Sequence, residues 1–196
     1  MDSFKGLIRR LASSLNTAQM EYMFTGAIAA SYYGMPRTTM DVDIVIHITL
    51  KEASVLVNAL TEAGVSPDEK KIKTALTSDY RIVTFQDTQT HYTVDVILAT
   101  EPLEKRAATI EGQPTYIQTP DALILAKLRM IKATLPPERA LKDRDDVTAI
   151  LRHTPVDIGH IRREAVKEGT MHILDGLLPS KHVQKEKRNP ATGYKP

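Results

Sequence analysis

Eight residues, 41–48, reading DVDIVIHI, constrain this chain more than any other stretch. Strict alternation puts Val42, Ile44, Ile46 and Ile48 on one face of a strand and Asp41, Asp43, Val45 and His47 on the other. The apolar face must be covered by another layer of secondary structure. The opposite face carries two carboxylates side by side at the start of the strand. Adjacent carboxylates repel, and each resists ionisation of the other unless a cation sits between them. The spacing asks for a divalent metal.

The residues around this strand sharpen the reading. A short strand over 22–25 leads to Gly26 and a helix of small residues over 27–33, ended by Gly34. A basic loop, 35–39, then enters the carboxylate strand. Gly26 and Ala27 lie between a strand end and a helix N-terminus, where backbone N–H groups and the helix dipole favour a phosphate. Further on, 80–86 and 92–98 read as strands around a turn at 87–90. In the second, Tyr92, Val94, Val96 and Leu98 share one face, while Thr93, Asp95 and Ile97 share the other. Asp95 is thus a third carboxylate opposite an apolar row. Such an oxygen cluster suits Mg²⁺ or Mn²⁺ beside a triphosphate. Asp41 and Asp43 are the expected metal ligands. Asp95 completes a second metal position and can take the proton from an attacking hydroxyl.

The remaining pattern predicts an α+β (mixed α/β) chain. Phe4, Leu7, Ile8, Leu11 and Leu15 predict an amphipathic helix over 2–15 with Asp2 or Ser3 as N-cap. Thr49 and Glu52 form a capping-box pattern opening a helix to about residue 63, stopped by Gly64. Another helix is expected over 67–76, and one or two short strands over 109–118 around Glu111 and Gly112. From Thr119, with Pro120 at the first helical position, the texture becomes helical. Leu123, Ile124, Ala126, Leu128 and Ile131 line an apolar face, Pro136 and Pro137 break it, and further helices are expected over 138–152 and up to 178. Three regions follow: a core over 1–118, a helical region over 119–179 packed on it, and a basic tail over 180–196. The tail carries Lys181, Lys185, Lys187, Arg188 and Lys195 against Glu186. It is expected to be disordered and could serve as an electrostatic arm for RNA.

Composition excludes several classes. With no cysteine there is no disulfide, thiolate zinc site or cysteine nucleophile, and the six histidines show no ligand spacing. A formal charge of +2 is too small for wholesale nucleic-acid coating. No apolar run approaches the roughly 20 residues of a membrane span. Arg9 and Arg10 interrupt any signal-peptide core, so a soluble cytoplasmic protein is expected. His47 reads as a wall residue beyond the carboxylates, His91 as a flank of Asp95, and the Tyr32–Tyr33 pair as core packing.

The order strand, Gly26-Ala27, helix, basic loop, Asp41-Val42-Asp43 and a later strand Asp95 resembles the polymerase-beta-like nucleotidyltransferase superfamily. That family has Gly-Ser where this chain has Gly26-Ala27. The wording of 25–46 is similar to the compact prokaryotic branch that includes AbiEii-like toxin nucleotidyltransferases. Its Arg-x-Thr-x-Asp-hydrophobic-Asp pattern is approximated by Arg37, Thr38 or Thr39, Asp41 and Asp43. The branch's lysine-bearing apolar helix is matched by 123–128 with Lys127. Its basic-Asp-x-x-Asp motif is matched by Lys142, Asp143 and Asp146. The resemblance covers most of residues 20–152. It implies Mg²⁺-dependent transfer of a nucleoside monophosphate from an NTP to a hydroxyl of RNA, tRNA or a protein. The chain would then be the toxin of a toxin–antitoxin pair, with an antitoxin protein as partner. Gly26, Ala27, Arg37 and Thr38 would contact the nucleotide. Lys127 would reach its phosphates, and Asp143 and Asp146 would orient Lys127 and help shape the nucleotide site. A catalytically silent binding scaffold and a small-molecule adenylyltransferase are the alternatives.

Overall fold

The computed structural model of the chain describes residues 3–178; the basic tail over 180–196 and the Asp2 cap candidate lie outside the described residues. Its N-terminal helix α1 spans Phe4–Thr17, and the Ser3 hydroxyl caps it by accepting the Gly6 N–H. Leu7, Leu11 and Leu15 are fully buried, as their helical spacing requires. Strand β1, Glu21–Phe24, and helix α2, Gly26–Tyr33, precede β2, Asp41–His47. In β2 burial alternates residue by residue: Val42, Ile44 and Ile46 are inaccessible to solvent and the odd positions are half-buried.

Thr49 and Glu52 form the expected capping box, but it opens a 3₁₀ turn, Leu50–Glu52, before α3, Ala53–Glu62. A two-residue strand β3, Val65–Ser66, follows, then α4, Glu69–Leu76, with Asp68 as cap. Strands β4, Ile82–Asp87, and β5, Thr93–Ala99, form a hairpin. A second hairpin joins β6, Lys105–Ile110, to β7, Gln113–Gln118. Its two-residue turn, Glu111 and Gly112, has positive φ at both positions, the geometry that matches strand twist. Beyond it lie α5, Pro120–Ala133, a 3₁₀ turn, Pro137–Ala140, and α6, Leu141–His153. Helices α7, Ile158–Lys167, and α8, Met171–Leu177, complete the described chain.

All seven strands join one mixed sheet in the order β3-β4-β5-β2-β1-β7-β6. The β2–β5 and β1–β7 pairs are parallel; the rest are antiparallel. One core cluster joins α1, α3 and α4 to the apolar rows of β2 and β5. A second joins α2 to α5, α6, α7 and α8 around Ile117. No helix among the described residues is long and apolar enough to cross a membrane.

Candidate active site

The central strands bring the carboxylates together. In the parallel β2–β5 pairing Asp43 lies opposite Asp95, and Asp41 is two residues up the same face. One carboxylate oxygen from each of Asp41, Asp43 and Asp95 falls within 4.8 Å of the others. Each acid has its own donor from a different element. Thr39, in the loop before β2, donates its hydroxyl to Oδ1 of Asp41. The backbone N–H of Ala27 donates to the carboxylate of Asp43. Thr84 on β4 donates to Oδ1 of Asp95 at 2.6 Å.

Burial pushes Asp43 up to about 6, with the charges of Asp41 and Asp95 adding to the effect against weaker pulls from the Ala27 N–H and Lys127. Three hard oxygen donors converging on one point, the central one reluctant to ionise alone, fit a divalent cation such as Mg²⁺ or Mn²⁺.

Gly26 is required where it stands. Its φ of +56° is in the left-handed region, and a Cβ there would collide with Oδ2 of Asp43 and lie 2.6 Å from its Cγ. The strand-to-helix turn can pass this close to the carboxylate only without a side chain. Ala27 N–H, the donor expected to face a phosphate, is aimed at Asp43. Buried Thr25, next in line, donates to the Gln118 side chain, and Tyr33 donates to the Gln118 carbonyl at 2.8 Å. Gln118 ends β7 immediately before α5, so these bonds tie the glycine turn to the start of that helix.

Helix α5 brings Lys127 to the carboxylate face. Lys127 is 5% exposed, and its Nζ lies 2.8 Å from Oδ1 of Asp143 and 2.8 Å from Oδ2 of Asp146. Three residues apart on α6, the two acids stand on one helical face. Buried Asp146 also takes a bidentate pair from Arg37, with Nε 3.0 Å from Oδ1 and Nη2 3.1 Å from Oδ2. Arg37, expected beside phosphate, thus holds a carboxylate that it shares with Lys127. Thr38 is exposed, and the hydroxyl at Asp41 comes from Thr39.

The three acids, Gly26, Ala27, Arg37, Lys127 and Asp143 line a cleft of about 620 Å³ together with Ile82, Ile97, Met130, Arg129 and Lys142. The volume suits a nucleotide. His47 lies away from the cleft, with Nδ1 2.8 Å from Glu21 Oε2, and His91 packs on the Tyr92 ring. Of the tyrosine pair, Tyr33 is buried and Tyr32 is 47% exposed. Reading the sequence missed Thr84; a threonine mid-strand carries no signal until its pairing partner is known.

No family model and no curated protein matches the chain. Solved structures do. The antibiotic-resistance factor ANT(2'')-Ia in solution is 13% identical, covers 95% of this chain and 97% of its own, and superposes with a TM-score of 0.55. The crystal structure of ANT(2'')-Ia with adenylyl-2''-tobramycin is 12% identical over 87% of this chain and 98% of its own, TM-score 0.58. An antigenic nucleotidyltransferase-like protein from Paracoccidioides brasiliensis is 14% identical over 89% of this chain and 91% of its own, TM-score 0.56. Mixed sheet, flanking helices and these superpositions agree: the chain has the nucleotidyltransferase fold.

Proposed function

We propose that this protein transfers a nucleoside monophosphate from an NTP to an acceptor hydroxyl and releases pyrophosphate. The observation that carries the reading is the triad of Asp41, Asp43 and Asp95 within 4.8 Å, with Asp43 raised to about 6. Gathered carboxylates destabilise a fold, so they are hard to explain on a silent scaffold.

The acceptor oxygen bonds to the α-phosphorus as the bond to the bridging oxygen of the β-phosphate breaks, and pyrophosphate leaves with that electron pair. Asp95 takes the hydroxyl proton. Mg²⁺ or Mn²⁺ held by Asp41, Asp43 and Asp95 would offset the charge on the phosphoryl oxygens. Lys127 supplies a fixed positive charge for the triphosphate, oriented by Asp143 and Asp146 and, through Asp146, by Arg37. By the sequence resemblance Gly26, Ala27 and Thr38 would contact the nucleotide, Gly26 letting the backbone pass close to the Asp43 carboxylate.

The sequence resemblance supports RNA, in particular a tRNA 3′ end, or a protein hydroxyl as acceptor. It also supports a toxin role with an antitoxin protein as partner. A second reading, adenylyl transfer to a small molecule, is favoured by the likeness to ANT(2'')-Ia bound to adenylyl-2''-tobramycin. Arg129 and Lys142 border the cleft beside Asp41, Asp43, Asp95 and Asp143; Arg129 pairs with Glu168, and Lys142 makes no ion pair among the described residues.

The test is labelling with each of four α-³²P-NTPs and Mg²⁺, offering total RNA, cell extract and an aminoglycoside in separate reactions. Asp43→Asn serves as the blank. Label in RNA or a protein band, absent from the blank, supports the first reading, and label on the aminoglycoside supports the second. Metal-dependent NTP binding with no label in any reaction returns the chain to a silent scaffold.

A further inference from the structure

Asp95, to which the proposed reaction assigns the proton, is half-buried on a strand face that lines the cleft. Its neighbour across the antiparallel β4–β5 pair is Thr84, with the two Cα positions directly opposite. An ionised carboxylate only accepts, so the 2.6 Å contact is a bond donated by the Thr84 hydroxyl to Oδ1. Ile82, two residues earlier on the same face of β4, lies opposite Ile97, two residues beyond Asp95, and both line the cleft. Ile82 of β4 therefore borders the cleft, and Thr84, on the same face of that strand, reaches the site through its bond to Asp95.

We propose that Thr84 is a positioning residue: its hydroxyl ties up one oxygen of Asp95 and turns the other toward Asp41 and Asp43. The bond does little for folding. Thr84 is exposed, so water would satisfy its hydroxyl in the bond's absence, and an exposed hydrogen bond of this kind adds little stability. What it restricts is the rotation of Asp95. Donors that stand behind metal-binding carboxylates commonly change metal affinity when removed. Asp41 and Asp43 have corresponding donors in Thr39 and the Ala27 N–H, so the triad is held from three directions. The inference rests on the transfer reaction proposed above and adds a specific residue to it.

The test uses the full chain and reads metal binding separately from turnover. Wild type, Thr84→Val, Thr84→Ser and Asp43→Asn are titrated with MnCl₂ while melting temperature is followed, and label transfer is measured in parallel. Valine matches threonine in shape and favours strands, so the variant should fold with a metal-free melting temperature within about 2 °C of wild type. Thr84→Val should need about tenfold more Mn²⁺ for half-maximal stabilisation, with Thr84→Ser within about threefold of wild type. Equal midpoints for wild type and Thr84→Val overturn the inference, as does a serine variant as weak as the valine. A wild-type protein with no Mn²⁺ response, or one that Asp43→Asn retains in full, overturns the metal-site reading itself and this inference with it.

Discussion

Replacing Asp43 by asparagine should make the metal-free protein more stable, and the gain should depend on pH in a defined way. Asp43 goes from 3.8 to about 6 on folding, because it is buried and flanked by Asp41 and Asp95. Its folded-state pKa is raised, so its contribution to stability is fully present below about 3.8 and is lost as pH rises through about 6. Two pKa units at about 1.4 kcal/mol each set an upper bound near 3 kcal/mol at pH 8. Side-chain relaxation and water in the cleft lower that to about 1–3 kcal/mol. Asparagine keeps an oxygen to accept the Ala27 N–H and carries no charge. In EDTA at pH 8, Asp43→Asn should therefore melt roughly 3–10 °C above wild type. The advantage should shrink to about half at pH 5 and approach zero below about pH 4. Differential scanning calorimetry across this range measures it. Mn²⁺ or Mg²⁺ at pH 8 should raise the wild-type melting temperature and leave the variant nearly unmoved. A variant no more stable than wild type at pH 8, or an advantage that does not shrink in acid, refutes the electrostatic account of the triad.

The same geometry sets other outcomes. Gly26→Ala places a methyl group against the Asp43 carboxylate at positive φ, and should cost about 2–4 kcal/mol in urea unfolding while weakening the Mn²⁺ response. Asp146→Ala leaves Arg37 without its carboxylate and Lys127 with Asp143 alone, and should destabilise by about 2–4 kcal/mol in chemical denaturation. Lys127→Met keeps the Arg37–Asp146 pair, so it should lose about 1–2 kcal/mol of stability yet reduce label transfer by about 100-fold or more. Unchanged label transfer in Lys127→Met would show that Lys127 is only structural.

How much of this was legible beforehand differs by feature, for a consistent reason. Strand β2, its two faces, the glycine turn, the Ser3 cap and the Thr49–Glu52 capping box are written within a few residues of sequence, where side-chain period and local hydrogen bonding decide the outcome. The same reading missed β3, whose two residues are too short to show alternation. It also began the second hairpin at 109 rather than Lys105, because the edge strand β6 is largely exposed and has no apolar row to betray it.

By itself, then, the sequence determined that Asp41 and Asp43 share a face, that Asp95 has the same relation to its own strand, and that the glycine turn lies just upstream. Only the tertiary structure decided that Asp95 faces Asp43, because that depends on a parallel pairing between strands about 50 residues apart whose register is set by packing of their apolar rows. It alone decided that Arg37 and Lys127 share Asp146 and that Thr84 donates to Asp95. A side chain's partner across the fold depends on where helices and strands dock, and no local period carries that information.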